Sequence, residues 1–506
     1  MRRAVLVTAA AVLFAGPTVL AFFSGGYFDR PRLVATLAAW TLVVIVALLS
    51  PKPLPGSWPG WIAIAGLVLI SGWTAASISW APLLGTATDN LVRLLLYLGA
   101  LVAAISLLRE RVTARALEPA LALGAVVVIC YGLAGRLLPG LIHLSESRTA
   151  NGRLEQPITY WNAEGALAAV GLVLCARVAG DRSRPPSMRA AAAAAAAPLA
   201  AGVYLSFSRG AIAAAVVGLV VLLAAAPSWP QLRAMGISLG AGIVTAAIAA
   251  VLPGVASLEG SPGARERDGA IMLSVLILLM LVAAGAQAWS VAAESRGRFD
   301  VGRLHVARRL PALAALALAL GLAGLVAGGL GERGGREEVV RSHGAGRLAS
   351  IESRRYDYWR VGLRAFVRHP LNGVGSGGFR VEWLRERRVP GAALEVHSLP
   401  LEMAAELGAF GLLGLVMLVG GVAVAAGRAL RRGALLAPGA AAAVTVWFLH
   451  AAIDWDWQVP AVTLPALVMA GALIAAGEEQ LDGPSALRPG DTPERVASPG
   501  PAPAPA

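Results

Sequence analysis

Long apolar runs separated by short polar connections dominate the chain. Crossing a hydrocarbon layer of about 30 Å takes roughly 20 apolar residues. Runs that meet or approach this lie near 4–23, 32–49, 61–79, 91–108, 117–138 and 159–179. Others lie near 190–205, 210–226, 232–252, 270–290 and 309–330, the first of them only mildly apolar because of its poly-alanine start. After a long polar stretch come 401–426, 438–453 and 460–477. The pattern predicts an all-α polytopic membrane protein with about 12–14 transmembrane helices. It divides the chain into an N-terminal transmembrane bundle (1–330), a polar loop with short helices (331–400), C-terminal transmembrane helices (401–477) and a Pro/Ala-rich tail (478–506) that reads as disordered.

Composition agrees. Of 506 residues, 57% are hydrophobic and 14% charged, where a soluble domain carries about 25% charge. Mean hydropathy is +0.68. A cytosolic enzyme and a secreted disulfide scaffold are both excluded, since the two cysteines, Cys130 and Cys175, fall inside apolar runs and read as small core residues. Net charge is +13, and only Lys52 among the basic residues is a lysine. Basicity alone does not indicate nucleic acid, and no nucleic-acid partner is expected.

The short loops set an orientation. With the N-terminus cytoplasmic, the inner side carries Arg2, Arg3, Arg109, Arg111, Arg115, Arg182, Arg184, Arg189, Arg296, Arg298, Arg303, Arg308, Arg309, Arg428, Arg431 and Arg432. On the outer side, Arg148 and Arg153 are balanced by Glu146 and Glu155, and Arg265 and Arg267 by Glu259, Glu266 and Asp268. Both termini are then cytoplasmic, and 331–400 lies outside despite its thirteen arginines and eight acids. Long loops translocate largely regardless of charge, and a basic outer loop suggests an anionic ligand. No ionisable residue lies near the centre of a predicted span; Arg93, Glu164, Glu402, Glu406 and His450 sit near outer ends. Ion-coupled transporters usually need such groups at the midplane, so chemistry is expected at the outer membrane–water interface. The alternative is a small-anion transporter that gathers its substrate on the basic loop.

Within that loop, 354–368 reads as a helix in which Arg355 shares a face with Trp359, Leu363 and Phe366. Arg360, Arg364 and Arg368 fall opposite and read as a solvated face. A guanidinium on an apolar face calls for an anion, and phosphate satisfies it bidentately. Proline ends the helix at His369-Pro370. The following Gly373-Val-Gly375-Ser-Gly377-Gly378 formally matches a dinucleotide fingerprint, but no strand precedes it. A backbone reversal whose N–H groups form an anion nest fits better. Ser398 and Pro400 open the next helix, and Glu402 and Glu406 share a face one and two turns in. From the residues alone, His397 is either a capping histidine or a neutral proton acceptor at a helix N-terminus. Ser206-Phe-Ser208-Arg209-Gly210 is a tight connection presenting Arg209 at the surface. Asp454-Trp-Asp456-Trp457 reads as an aromatic belt with caps rather than a metal-binding acidic pair.

Taken in order, these segments resemble the O-antigen ligase/O-antigen polymerase family of integral membrane glycosyltransferases. The resemblance rests on Ser208-Arg209-Gly210, on Arg355-x-x-x-Trp359 leading into His369-Pro370-Leu371-x-Gly373-Val374-Gly375-x-Gly377-x-Phe379, and on His397 with Glu406-Leu-Gly408-Ala-Phe-Gly411. Gln156-Pro157-x-x-Tyr160-Trp161-Asn162-Ala163 is similar to a segment of some members. The resemblance implies a C-type glycosyltransferase-like bundle with one long external loop, in the bacterial plasma membrane, acting without metal or other cofactor. It implies a polyprenyl-pyrophosphate-linked glycan donor, Arg209 and Arg355 as pyrophosphate ligands and His397 as the catalytic residue. Glu402, Glu406, Tyr160 and Asn162 are further substrate-binding candidates. The acceptor, whether glycan, lipid or protein, stays open, as does ligase against polymerase; ligases typically have fewer spans.

Overall fold

Every predicted apolar run within the described residues forms a helix. The computed structural model describes residues 1–145, 147, 149–304, 355–388 and 390–478. The predicted span near 309–330, residues 331–354 of the polar loop and the tail beyond Glu478 lie outside them. Helices α1 (Arg2–Ala21), α2 (Asp29–Leu49), α3 (Trp58–Ser77), α4 (Leu84–Leu107), α5 (Arg111–Leu137) and α6 (Trp161–Gly180) come first. Next are α7 (Pro186–Leu205), α8 (Arg209–Ala225), α9 (Trp229–Ala250), the single turn α10 (Pro253–Ala256) and α11 (Pro262–Ser295). The polar loop contributes α12 (Arg355–Arg368) and α13 (Phe379–Glu386), and α14 (Leu399–Arg431), α15 (Ala437–Ala451) and α16 (Pro460–Glu478) close the chain. Among the described residues, 11 helices are long and apolar enough to cross a membrane, and α8 and α15 are shorter apolar helices. The protein is an all-α polytopic membrane protein.

Burial sorts these helices into layers. α6 and α16, rich in Ala, Gly and Val and apolar all round, are enclosed by other helices, while α2 and α11 leave most of their surface outward. α16 packs on α4, α14 and α15, and α6 on α5, α7, α8 and α15. Small residues let these backbones approach where no aqueous hydrophobic force drives association.

Two expectations need correction, and a third gains a structural side. Cys130 is exposed and only Cys175 is buried, because the apolar runs of a membrane protein include an outward face. Helix α4 begins at Leu84, upstream of its apolar run, so Arg93 lies well inside the helix and is 3% exposed. Arginines read as orientation signals are also structural: Arg184 pairs with buried Glu118 at 3.0 Å and Arg189 with Glu294 at 3.1 Å, tying α5 and α7 to their neighbours.

Helix α14 is broken once. Gly408 adopts φ +63°, ψ −150° within it, a conformation open essentially to glycine alone. The break frees backbone groups that a low-dielectric setting cannot leave unpaired. The loop after α12 satisfies them. The N–H of Val374 donates to the Ala405 carbonyl at 3.0 Å, that of Gly375 to Glu406 at 2.9 Å, and that of Ala409 to Pro370 at 2.8 Å. Gly373, at φ +67°, lies so close that a Cβ there would stand 2.3 Å from the Glu406 carbonyl. The glycine block and the Gly408 break are one fitted unit.

Candidate active site

The fitted unit is locked by a carboxylate. Glu406, 3% exposed, accepts the N–H of Gly377 at 2.7 Å and of Phe379 at 3.3 Å. The nest expected for a ligand phosphate is therefore occupied by an internal carboxylate, and the glycine block serves as framework. Ser77 of α3 accepts the Ser376 N–H at 3.2 Å, and Asn90 of α4 donates to the Ser376 hydroxyl at 2.8 Å. Gln458 donates both to Glu402 and, at 3.2 Å, to Glu395. Glu402 and Glu406 thus face the interior, behind the loop.

Helix α12 docks by a face rotated from the expected one. Its buried residues are Val361, Gly362 and Ala365, whereas Leu363 is 52% exposed. Gly362 and Ala365 allow closer approach than the bulkier stripe would, and Gly362 lies against Val396. Val361 joins Phe379, Trp383, Ala393 and Val396 in a small separate core. The outer arginines are not simply solvated: Arg360 pairs with Asp357 at 2.7 Å, Arg368 with Glu382 at 2.7 Å, and Arg364 with Glu386 at 3.6 Å. The last two fasten α13 to α12, while the first lies within α12.

Arg355 stands at the start of α12, its side chain one-quarter exposed, and forms an ion pair with fully buried Asp454. The phenol of Tyr160 donates to the other Asp454 oxygen at 2.6 Å, and Asn162 donates to that phenol at 2.8 Å. Burial raises the Asp454 carboxyl, but Arg355 and the His397 and His450 rings outweigh it and hold the group below the usual carboxylate range. The Asp-Trp-Asp segment is therefore no interfacial belt. Asp454 and Asp456 are fully buried and Trp457 is 1% exposed, because polar partners on α12, α15 and the strand-like lead into α6 wait inside the bundle.

His397 precedes α14 in a left-handed conformation, φ +58°. Its carbonyl accepts the Trp359 indole N–H at 3.1 Å. Its Nδ1 lies 3.0 Å from the Glu395 carbonyl, a contact that holds a proton on Nδ1 and leaves Nε2 as the basic nitrogen. The ring lies tilted against Tyr358 and edge-on to Trp455, with centroids 5.1 and 6.2 Å away. Burial depresses the imidazole pKa, Asp454 opposes that and Arg355 adds to it. Glu395 is itself paired with Arg380 at 2.8 Å. Arg209 opens α8 at the exposed surface, and the Ser208 hydroxyl caps the helix by accepting the Ala211 N–H at 3.3 Å. Among the described residues no cluster of three or more His, Cys, Asp or Glu side chains is arranged to hold a metal ion.

Arg355, His397, Tyr160 and Asn162 thus converge on the Asp454 segment. Residues 264–416 match the family model described as O-antigen ligase. Over this segment the chain is similar to the O-antigen ligase family. The match includes Arg355, the glycine block, His397, Glu402 and Glu406, and leaves Tyr160, Asn162, Arg209 and Asp454 outside. No curated protein matches the chain. The ligase domain and the spanning helices together make this a multi-pass membrane glycan transferase of the ligase type. Sequence reasoning missed Asp454, Glu395 and Arg380 as partners of the site. The Asp-Trp-Asp spacing was visible, but nothing local indicates that an aspartate 99 residues beyond Arg355 will meet it.

Proposed function

We propose that this protein, like the family its 264–416 segment resembles, transfers a glycan from a polyprenyl-pyrophosphate donor to an acceptor hydroxyl on the outer face of the bacterial plasma membrane, without a metal. His397 removes the hydroxyl proton through Nε2, and the oxygen attacks the anomeric carbon. The bond from that carbon to the pyrophosphate oxygen breaks, with its electron pair leaving on the pyrophosphate. Arg355 and Arg209 neutralise the charge that develops there, with Tyr160 and Asn162 acting through Asp454 to hold Arg355. Glu406 supports the glycine loop, and Glu402 is held by Gln458 inside the bundle, rather than either touching substrate.

The observation that carries this reading is the neighbourhood of an Nδ1-anchored histidine and an arginine held in place by a buried aspartate. A guanidinium fixed before the anion arrives loses little freedom on binding, and a neutral imidazole of depressed pKa is a competent base at neutral pH. The domain limits proposed are a transmembrane bundle to about residue 330, a catalytic loop to residue 400 and closing helices to 477. The test uses purified protein, polyprenyl-pyrophosphate oligosaccharide and candidate acceptors. His397→Ala should lower turnover by roughly 10²–10⁴-fold while leaving donor binding intact. Undiminished transfer by that variant, or uptake of a small anion by proteoliposomes in place of transfer, would overturn the proposal.

A further inference from the structure

A second set of polar side chains, outside the ligase-domain match, lies buried beside this site. Asp456 Oδ2 is 2.5 Å from His450 Nδ1, and His450 Nε2 is 3.3 Å from the Ser208 hydroxyl. Asp456 and His450 are fully buried and Ser208 is 3% exposed. With a neutral imidazole, the directions of the bonds follow from the partners. A carboxylate only accepts, so His450 Nδ1 carries a proton toward Asp456, and Nε2 is left to accept from the serine O–H. The serine oxygen in turn accepts the Ala211 N–H of α8. An unbroken chain of directed bonds runs from Asp456 to the first turn of α8, where Arg209 sits. The backbone there needs holding: Phe207 adopts φ +47°, unfavourable for a bulky side chain, and the Ser208 N–H is tied back to the Ser206 hydroxyl at 3.2 Å.

We propose that the Asp456–His450–Ser208 relay positions Arg209, so that the single turn Asp454–Asp456 fixes both arginine arms of the site, Arg355 directly through Asp454 and Arg209 through His450. The inference rests on the reading of Arg209 as a pyrophosphate ligand. His450, Asp456 and Ser208 are positioning residues: they touch no substrate, and they act by setting where one cation stands relative to the other. Pyrophosphate bridges two guanidiniums only at a fixed spacing, and one rigid turn linked to both supplies that spacing.

The experiment measures the affinity of polyprenyl pyrophosphate, without a glycan, for the purified protein, alongside its melting temperature. His450→Asn keeps a donor toward Asp456 and loses the acceptor for Ser208; His450→Gln keeps an acceptor near the Nε2 position. Loss of one such bond changes affinity by up to about tenfold. Expected are weakened binding by His450→Asn, recovery in His450→Gln, a smaller loss in Asp456→Asn, and no further loss when His450→Asn is added to Arg209→Ala. Asp456→Asn keeps the question answerable if His450→Asn fails to accumulate. If Arg209→Ala binds like the parent, the reading of Arg209 and this inference both fall. If Arg209→Ala weakens binding while the His450 and Asp456 variants do not, or their losses multiply with that of Arg209→Ala, the relay is purely structural and the inference alone is overturned.

Discussion

Replacing Glu406 by Gln tests whether an internal carboxylate, and not a ligand, fills the glycine nest. The carboxylate receives two backbone donors, Gly377 N–H at 2.7 Å and Phe379 N–H at 3.3 Å. An amide offers one acceptor oxygen, so one donor keeps a bond that is no longer charge-assisted, a loss of about 1 kcal/mol. The other donor faces an NH₂ group and is left unsatisfied in a buried setting, which costs about 1–3 kcal/mol. The sum is about 2–4 kcal/mol. It falls on the segment that also satisfies the backbone freed at Gly408. The purified variant in detergent should melt several degrees lower, and transfer should fall with it because α12 and His397 flank the same loop. Glu406→Asp, which keeps both acceptor oxygens on a shorter stem, should lie between. A variant carrying Gln that melts and transfers like the parent would refute the argument, since the nest would then need no anion.

The arginines of α12 should separate: Arg355→Ala should abolish transfer with the protein still inserted, whereas Arg364→Ala, whose side chain is half exposed and 3.6 Å from Glu386, should be mild, and equal losses would reduce the loop to diffuse positive charge. Transfer should fall as pH drops through the His397 titration, and because burial lowers that pKa the fall should lie below the ordinary histidine value of about 6.5; a midpoint above it would reverse the assigned electrostatics. Accessibility tags after residues 3, 185, 300 and 480 should report cytoplasm and one near 340 the exterior, and a cytoplasmic report at 340 would remove His397 and Arg355 from the outer face. Transfer should persist in EDTA, and chelator-sensitive activity that tolerates His397→Ala but not Asp454→Asn would move the chemistry to the aspartates.

Apolar run length is enough to place helices, because a chain without water around it has few ways to satisfy its backbone other than helix formation. That is why each described run became a helix and why the fold class was legible without any contact map. The candidates Arg209, Arg355 and His397 could be nominated for a related reason: polar residues in ordered motifs amid so apolar a chain stand out. Polar partnerships within the site were not. Glu406 filling the nest, Asp454 meeting Arg355 and Tyr160, and His450 joining Asp456 to Ser208 depend on segments up to hundreds of residues apart. The helical wheel of α12 also misled, since periodicity names an apolar stripe but close packing chose the smaller residues Gly362 and Ala365 against Val396. Local sequence thus determined where the helices run and which residues to nominate for chemistry. Only the tertiary structure decided which charge neutralises which, because in a low-dielectric interior that choice belongs to whichever partners the packing brings within hydrogen-bond reach.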